Sequence, residues 1–261
     1  MPMHQDVRLH TTRDGSHSLY SERFQQFYHN PNGALAESLH VFFEQSGLIV
    51  SLQKNEPVSI LEIGFGTGLN LVLLADLVEK NGTTTSVSFE SMEAWPVHPD
   101  QSKAFNYGEL LGNLSLSDNL QSVFEELQQQ ALVRTSFGPV LANIHRRFFD
   151  DFRPQNQPFT HIFHDPFSPE VNGELWTPAV FKKLLSWSAP DVVLSTYCAS
   201  SAARAAMSVA GWFVARAPGA LGKREMTLAS QNPKKLENFI RINETRLRQR
   251  WKNGDFNSLS G

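Results

Sequence analysis

The chain alternates between short apolar runs and longer segments in which apolar residues recur at helical spacing. The runs have the length of buried strands and lie at 58–63, 86–92, 140–144, 160–166 and 191–197; the one at 86–92 has polar residues between Val87, Phe89 and Met92. Amphipathic segments lie between and after them, at 69–77, 120–132, 178–187 and 199–210. Because strands alternate with helices, the pattern predicts a mostly parallel sheet with helices on both faces. Two closely spaced runs, 211–215 and 226–229, predict an antiparallel edge.

The regions outside this alternating pattern lie near the two ends of the chain. Residues 17–31 are rich in aromatic side chains, and 33–43 has helical periodicity. Residues 233–252 predict a basic amphipathic helix. Because there is no internal repeat and no long linker, we expect a single domain over 1–261. Its expected parts are an N-terminal extension (1–50), a core (51–230) and a basic C-terminal helix or tail (231–261).

The composition is typical of a globular protein from a reducing compartment. Hydrophobic residues make up 41% of the 261 residues, and no apolar run approaches the roughly 20 residues that span a bilayer. Residues 1–13 lack the apolar core of a secretory signal, and a lone cysteine, Cys198, excludes an internal disulfide. The net charge of -3 argues against non-specific coating of nucleic acid. We expect a cytoplasmic protein without a membrane segment; the oligomeric state does not follow from the sequence.

A glycine-rich turn leads from the run at 58–63 into the amphipathic segment at 69–77. A dinucleotide-binding turn needs Gly-x-Gly-x-x-Gly, but here Leu69 occupies the place of the third glycine. The pattern acidic-x-Gly-x-Gly-x-Gly resembles instead the first motif of class I S-adenosylmethionine-dependent methyltransferases. That resemblance implies a Rossmann-like fold with a seven-stranded sheet, and a donor held by Glu62, Gly64, Phe65, Gly66, Thr67, Gly68 and Asn70. The alternative is a glycine turn without a binding role.

An acidic residue ends the second apolar run. In open α/β sheets the ligand lies beyond the carboxyl ends of the strands, where a carboxylate can accept hydrogen bonds from ribose hydroxyls. Glu93 stands at that end, whereas Glu90 lies within the run. We therefore expect Glu93 to bind the ribose of the donor; the alternative is a solvated acid at a strand end.

The run at 160–166 leads into Asp165-Pro166-Phe167, which resembles the Asp/Asn-Pro-Pro-aromatic signature of methyltransferases that act on amines. An amine gains positive charge as it attacks a methyl group, and a fixed carboxylate would align it and stabilise that charge. With an ordinary pKa of about 3.9, Asp165 is better suited to orient the amine than to act as a strong base. Phe167 offers a face for stacking a nucleobase. The alternative is a strand-end turn without a catalytic role.

Three segments, within 18–38, 165–177 and 219–226, resemble the methyltransferase domain of the bifunctional tRNA 5-methylaminomethyl-2-thiouridine biosynthesis proteins and its stand-alone relatives. The resemblance implies S-adenosylmethionine-dependent methylation of a 5-aminomethyl group on the wobble uridine of tRNA. Asp165 then matches the catalytic aspartate, facing both donor and acceptor, and Glu93 the ribose-binding acid. Lys223 and Arg224 match a basic loop that would contact phosphates of the anticodon arm; otherwise they are solvated charges on a turn.

The chain departs from that family at two places. The family carries a Gly-Asp pair whose aspartate contacts the adenine; here the sequence is Ile-His-Arg-Arg-Phe-Phe-Asp-Asp, and Asp150 or Asp151 would have to substitute. Pro166 follows Asp165 where the bifunctional protein tends to have glycine. Since the sequence has no second glycine-rich motif of the kind that binds a dinucleotide, FAD is not expected as a cofactor. The nine scattered histidines predict no metal site.

Basic residues cluster in two places that could track phosphates. One is 234–252, with seven basic residues, and the other comprises Arg146, Arg147 and Arg153. The alternative for 234–252 is a solvated face above an apolar side that packs on the body of the protein. Two rival functions stay open. The first is an amine methyltransferase of the same fold that acts on a small molecule or a protein. The second is a module that binds tRNA or S-adenosylmethionine without turnover.

Overall fold

The computed structural model describes residues 6–256. Its N-terminal part is a small antiparallel sheet with the strands β1 (Val7–Thr11), β2 (His17–Ser21) and β3 (Gln26–Phe27). Short helical segments follow, namely α1 (Ala34–Ser38), a π-helical turn (Leu39–Glu44) and α2 (Leu48–Gln53). Residues 24–31 of this part extend over the edge of the main sheet at which its parallel strands end.

Within the described residues, the main sheet has nine strands in the order β12-β10-β11-β9-β8-β4-β5-β7-β6. The strands are β4 (Val58–Ile63), β5 (Val87–Glu93), β6 (Leu132–Phe137), β7 (Val140–Arg146), β8 (Phe159–His164), β9 (Ser188–Thr196), β10 (Phe213–Pro218), β11 (Glu225–Ser230) and β12 (Ile240–Arg241). The central strands β7, β5, β4, β8 and β9 are parallel to one another. Both edges are antiparallel, because β11 and β6 run against their neighbours.

Seven of these strands correspond to the expected sheet, and two were not predicted. β6 overlaps the end of the segment expected to be helical over 120–132; the helix ends at Gln129, and the next residues pair with β7 instead. The second addition, β12, consists of two exposed residues that pair with β10. Such a short exposed strand leaves no hydrophobic pattern in the sequence, so pairing with its neighbour alone defines it.

Helices cover both faces of the main sheet. In chain order they are α3 (Leu69–Lys80), α4 (Pro99–Ser102), α5 (Tyr107–Leu111), α6 (Leu114–Gln129), α7 (Pro178–Ser186), α8 (Ser201–Ala210) and α9 (Glu244–Lys252). One hydrophobic cluster packs α3, α6 and the π-helical turn against the sheet, and a second cluster packs α7 and α8 against it. The predicted α/β architecture is confirmed. None of the helices in residues 6–256 has both the length and the apolar character required to cross a membrane.

The prediction of one basic helix over 233–252 is wrong. The segment forms a 3-10 turn (Pro233–Leu236), then β12, then α9. Asn243 starts α9, because its side chain accepts a hydrogen bond from the Arg246 backbone N–H at 2.9 Å. Leu247 packs this helix in a small cluster with Ala205 of α8. An N-cap and an extended pair inside the segment therefore override its helical periodicity.

Candidate active site

A cavity of about 620 Å³ opens where the central parallel strands end. The turn after β4 forms one side, and the other sides are the ends of β5 and β8, the loop after β7, and residues 24–31. Ligands bind at this edge of open α/β sheets. The predicted site residues that line the cavity are Gly64, Phe65, Gly66, Thr67, Asn70, Glu93, Asp165, Phe167 and Lys223. Glu62 and Gly68 lie behind this lining, and Arg224 lines an adjoining cavity.

Close packing on two sides holds the glycine turn in place. Gly64 has a φ of +96°, and a Cβ there would lie 2.7 Å from the Asp165 carbonyl oxygen. Gly68, at the start of α3, has a φ of +74°, and a Cβ there would lie 2.5 Å from Leu120 Cδ1. The first glycine thus brings the turn against the loop after β8, and the third packs α3 closely against α6.

Glu62 acts behind the cavity wall. The residue is 1% exposed, and its carboxylate accepts hydrogen bonds from Asn70 Nδ2 at 2.9 Å and Ser91 Oγ at 2.6 Å. Burial raises the pKa of Glu62 to about 8, although these two hydrogen bonds act in the opposite direction. Asn70 does line the cavity, and its buried Oδ1 has no hydrogen-bond partner within residues 6–256. Glu62 therefore orients an amide whose oxygen is left to accept a hydrogen bond.

Glu93 reaches the glycine turn from the end of β5. Its two oxygens accept hydrogen bonds from the backbone N–H groups of Gly66, at 3.1 Å, and Trp95, at 2.9 Å. Burial raises the pKa of Glu93, and the backbone hydrogen bonds oppose that shift. Each carboxylate oxygen can accept a second hydrogen bond, so ribose hydroxyls can still bind here. Glu90 instead faces away, bonded to His145 Nε2 at 2.8 Å.

Two aromatic rings stand beyond Glu93 at the cavity mouth. Trp95 and Phe148 line the cavity, with ring centroids 5.5 Å apart and planes nearly perpendicular. Phe148 lies in the loop after β7, where the expected Gly-Asp pair is absent. Asp150 also lines the cavity, but its carboxylate is 94% exposed and lies 3.2 Å from Lys183 Nζ. Asp151 is not among the lining residues, so of the two candidates for an adenine contact only Asp150 faces the cavity.

Asp165 faces the glycine turn from the loop after β8. Its backbone N–H donates to the Ile63 carbonyl at 2.9 Å, which continues the β4·β8 pairing by one residue. Burial raises the pKa of Asp165 well above its usual range; the carboxyls of Glu62 and Glu37 raise it further, and the ammonium of Lys223 lowers it. This carboxyl therefore has a higher affinity for protons than a solvent-exposed aspartate.

Phe167, expected to stack a nucleobase, lines the cavity and packs against two aromatic rings of the N-terminal part. Its ring centroid lies 4.7 Å from that of Phe24 and 5.0 Å from that of Tyr28, both in the N-terminal part. Burial, followed by the charge of Glu93, raises the pKa of Tyr28, so its hydroxyl stays protonated. Phe167 thus anchors residues 24–31 to the loop after β8.

Sequence analysis did not single out Glu37 and Tyr197, although both line the cavity. Glu37 is 7% exposed and accepts hydrogen bonds from Lys223 Nζ and the Asn30 backbone N–H, both at 2.7 Å. The Tyr197 hydroxyl donates to the Pro166 carbonyl at 2.8 Å. The available signals were the position of Tyr197 after β9 and that of Glu37 in the segment 28–38.

The fold and the cavity define a class of protein. A family model described as S-adenosyl-L-methionine-dependent methyltransferase matches residues 119–232. The predicted class I S-adenosylmethionine-dependent methyltransferase fold and the predicted resemblance to the methyltransferase domain of the bifunctional tRNA-modification proteins are confirmed.

Two relatives bear the name tRNA 5-methylaminomethyl-2-thiouridine biosynthesis bifunctional protein MnmC. The one from Cupriavidus necator is 32% identical over 228 residues, covering 82% of this chain and 33% of the relative. The one from Ralstonia nicotianae is 33% identical over 230 residues, covering 81% and 32%. The chain thus spans about a third of the length of these relatives. The crystal structure of MNMC2 from Aquifex aeolicus has the same fold, with a TM-score of 0.70 and 20% identity, covering 99% of this chain and 85% of that one.

The cavity residues fit the donor that the family uses. Asn70 Oδ1 is a buried acceptor without a partner in the described residues, and Glu93 keeps lone pairs for ribose hydroxyls. Beyond Glu93, Phe148 and Trp95 offer aromatic surface, although the Arg23 guanidinium already lies 4.7 Å from the centroid of the Trp95 ring. Residues 6–256 contain no group of three or more histidine, cysteine, aspartate or glutamate side chains arranged to hold a metal ion.

Proposed function

We propose that the chain transfers a methyl group from S-adenosylmethionine to the primary amine of 5-aminomethyluridine, with or without a 2-thio group, at the wobble position of tRNA. The observation that carries this proposal is the half-buried Asp165 carboxyl, which lines the cavity beside the glycine turn. The names of the relatives support it, because they are biosynthesis proteins for 5-methylaminomethyl-2-thiouridine. Addition of one methyl group to a 5-aminomethyl group gives the 5-methylaminomethyl group of that name.

The turn after β4 and the end of β5 bind the donor. Glu93 accepts hydrogen bonds from the ribose hydroxyls, Asn70 Oδ1 accepts one from the amino group of the methionine moiety, and Trp95 and Phe148 contact the adenine. The donor supplies a methyl carbon bonded to a positively charged sulfur. The acidic side chains around the cavity therefore favour a ligand that carries positive charge.

Asp165 prepares the acceptor amine. A 5-aminomethyl group enters largely as an ammonium, since alkylamines have pKa values of about 10. The sequence suggested that Asp165 only orients the amine; because burial raises the pKa of Asp165, its carboxylate also takes a proton from the ammonium more readily than an exposed aspartate does. The nitrogen lone pair then forms a bond to the methyl carbon, the carbon–sulfur bond breaks, and its electron pair stays on sulfur. The positive charge that develops on nitrogen is stabilised by the acidic groups around it.

The tRNA would approach the same edge of the sheet in the cytoplasm. Arg224, with a side chain that is 92% exposed, lines a cavity of about 570 Å³ that adjoins the first and shares Ser168, Tyr197 and Lys223 with it. An exposed guanidinium beside the acceptor side of the site suits a phosphate of the anticodon arm.

The decisive test is methyl transfer to tRNA that bears 5-aminomethyluridine, with labelled S-adenosylmethionine and nucleoside mass spectrometry. We expect 5-methylaminomethyluridine with the wild-type chain, its loss with Asp165→Asn, and its retention with Asp118→Asn, a matched change at an exposed position on α6. Bound donor without methylated nucleoside would overturn the proposal and favour a binding module. Methylation of free amines at the same rate, with or without tRNA, would favour an amine methyltransferase for small molecules.

A further inference from the structure

One carboxylate joins the N-terminal part to the loop before β11. Lys223 Nζ donates to Glu37 Oε1 at 2.7 Å, while Glu37 Oε2 accepts the Asn30 backbone N–H, also at 2.7 Å. The Glu37 side chain is 9% exposed and that of Lys223 is 42% exposed. Both residues line the donor cavity, so this connection lies in the wall of the site.

Lys223 also reaches the loop that carries Asp165. Its ammonium lies 5.0 Å from the ring centroid of Tyr197, at the end of β9. The Tyr197 hydroxyl donates to the carbonyl of Pro166, which directly follows Asp165. Lys223 therefore contacts two residues that line the cavity, Glu37 through a hydrogen bond and Tyr197 through its ring.

The N-terminal part makes its own contacts with the same loop. Gln26 Nε2 donates to Ser168 Oγ at 2.7 Å, and the Ser168 backbone N–H donates to Gln26 Oε1 at 3.3 Å. The Tyr28 ring meets Phe167 edge to face. These contacts attach residues 24–31 to the loop after β8. Asn30 also attaches them to the loop before β11, because Asn30 bonds to Glu37 and Glu37 bonds to Lys223.

We propose that Lys223 is a positioning residue that holds Glu37 and Tyr197 around the acceptor amine, and that it does not bind tRNA phosphate. This inference rests on the proposed function. This assignment gives the two adjacent cations, Lys223 and Arg224, different roles. Lys223 is committed to a buried carboxylate, whereas the nearest acid to Arg224 is Glu225 at 4.0 Å, and Glu225 already pairs with Arg204 and Arg216.

The charges around Asp165 give this role a measurable signature. Burial and the carboxyls of Glu62 and Glu37 raise the pKa of Asp165, the ammonium of Lys223 lowers it, and the charge of Asp165 in turn raises the pKa of Tyr197. Loss of the ammonium raises the pKa of Asp165 further. The acidic limb of the pH profile for methyl transfer must then move to higher pH. A lysine that only binds phosphate would leave this limb in place.

The test compares Lys223→Met, Lys223→Arg, Glu37→Gln and Arg224→Met in methyl transfer to tRNA that bears 5-aminomethyluridine. For Lys223→Met we expect kcat to fall roughly tenfold to a hundredfold, as for a misplaced reacting group, with the acidic limb at higher pH. Lys223→Arg keeps the charge and should recover most of the activity. Arg224→Met should instead raise KM for tRNA. It should also reduce the slope of log affinity against log salt concentration by about one, as for the loss of one phosphate contact.

Hydrogen exchange separates failure of this inference from failure of the proposed function. We expect faster amide exchange in residues 26–38 for Lys223→Met and Glu37→Gln than for wild type or for Lys182→Met, an exposed lysine on α7. Unchanged exchange, or an effect of Lys223→Met on tRNA KM and salt dependence alone, overturns the positioning role. If the wild-type chain methylates no tRNA, the proposed function fails, and the exchange data still decide whether Lys223 fixes this wall.

Discussion

Gly64→Ala tests whether the turn after β4 and the loop after β8 are packed too closely for any side chain at position 64. The φ of Gly64 is +96°, and an added Cβ would lie 2.7 Å from the Asp165 carbonyl oxygen and 3.1 Å from its carbonyl carbon. Both neighbours are backbone atoms. The overlap is therefore relieved only by moving the turn or the loop that carries Asp165.

Two energy terms add in this variant. A residue with a Cβ pays about 1–2 kcal/mol for a left-handed backbone. Overpacking against the backbone of Asp165 adds about 1–3 kcal/mol. Gly15→Ala is the matched control, because Gly15 has a φ of +85° and a Cβ there would meet nothing within 4 Å. We expect the free energy of unfolding to fall by about 2–5 kcal/mol in Gly64→Ala and by about 1–2 kcal/mol in Gly15→Ala.

Urea unfolding followed by tryptophan fluorescence measures both losses, and calorimetry measures donor binding. Gly64→Ala should also weaken S-adenosylmethionine binding, because the displaced turn includes Gly66, which bonds to Glu93. Gly15 lies in the turn between β1 and β2, so its variant should bind the donor normally. Equal losses of unfolding free energy in the two variants would refute the close contact that the structure shows.

Three further predictions concern the carboxyls. The kcat/KM of methyl transfer should fall as pH drops and Asp165 becomes protonated, with a midpoint above that of an ordinary aspartate because burial raises this pKa; a midpoint near 4 would contradict the assignment. The folded pKa of Glu62, about 8, exceeds its unfolded value, so ionisation opposes folding and this cost grows from about pH 4.5 to 8. Relative to wild type, Glu62→Gln should therefore gain stability in urea unfolding between pH 5 and 9, and a constant difference would exclude that effect. Glu93→Gln should weaken donor binding in calorimetry by about 1.5–3 kcal/mol, as for hydrogen bonds to a charged group; a dissociation constant within twofold of wild type would remove Glu93 from the ribose site.

Periodicity predicted the elements that bury a continuous face. β4, β8 and β9 are buried on both faces over most of their length and appear in the sequence as largely apolar runs, whereas the equally buried β5 alternates apolar residues with serine and glutamate. The N-terminal strands β1 and β3 lie largely at the surface and leave only a weak pattern. In the segment 233–252, by contrast, the periodicity is strong but predicts the wrong structure. Its periodicity suggests a helix, but the Asn243 cap and the pairing of β12 decide its structure.

The candidate site was predictable where a motif fixes the backbone. Gly64, Glu93 and Asp165 each follow or end a central strand, and strand order brings these ends together. The contribution of Glu37 was not predictable from local pattern, because Lys223, its partner, is 186 residues away along the chain. Pairings over such a distance depend on how the N-terminal part lies across the sheet, which no sequence periodicity encodes.

In the reaction proposed above, donor and acceptor both carry positive charge, and the acids around the cavity suit both. Burial raises the pKa values of Glu62, Glu93 and Asp165, so in the protein alone their ionisation is opposed by their surroundings. A bound cation lowers those pKa values again and is stabilised in return. The donor carries a positive sulfur before transfer and a neutral sulfur afterwards, so this field favours the reactant form of the donor over its product. The methylated amine keeps a positive charge, and its release then depends on contacts on the acceptor side, where Lys223 opposes the field of Asp165 and Glu37.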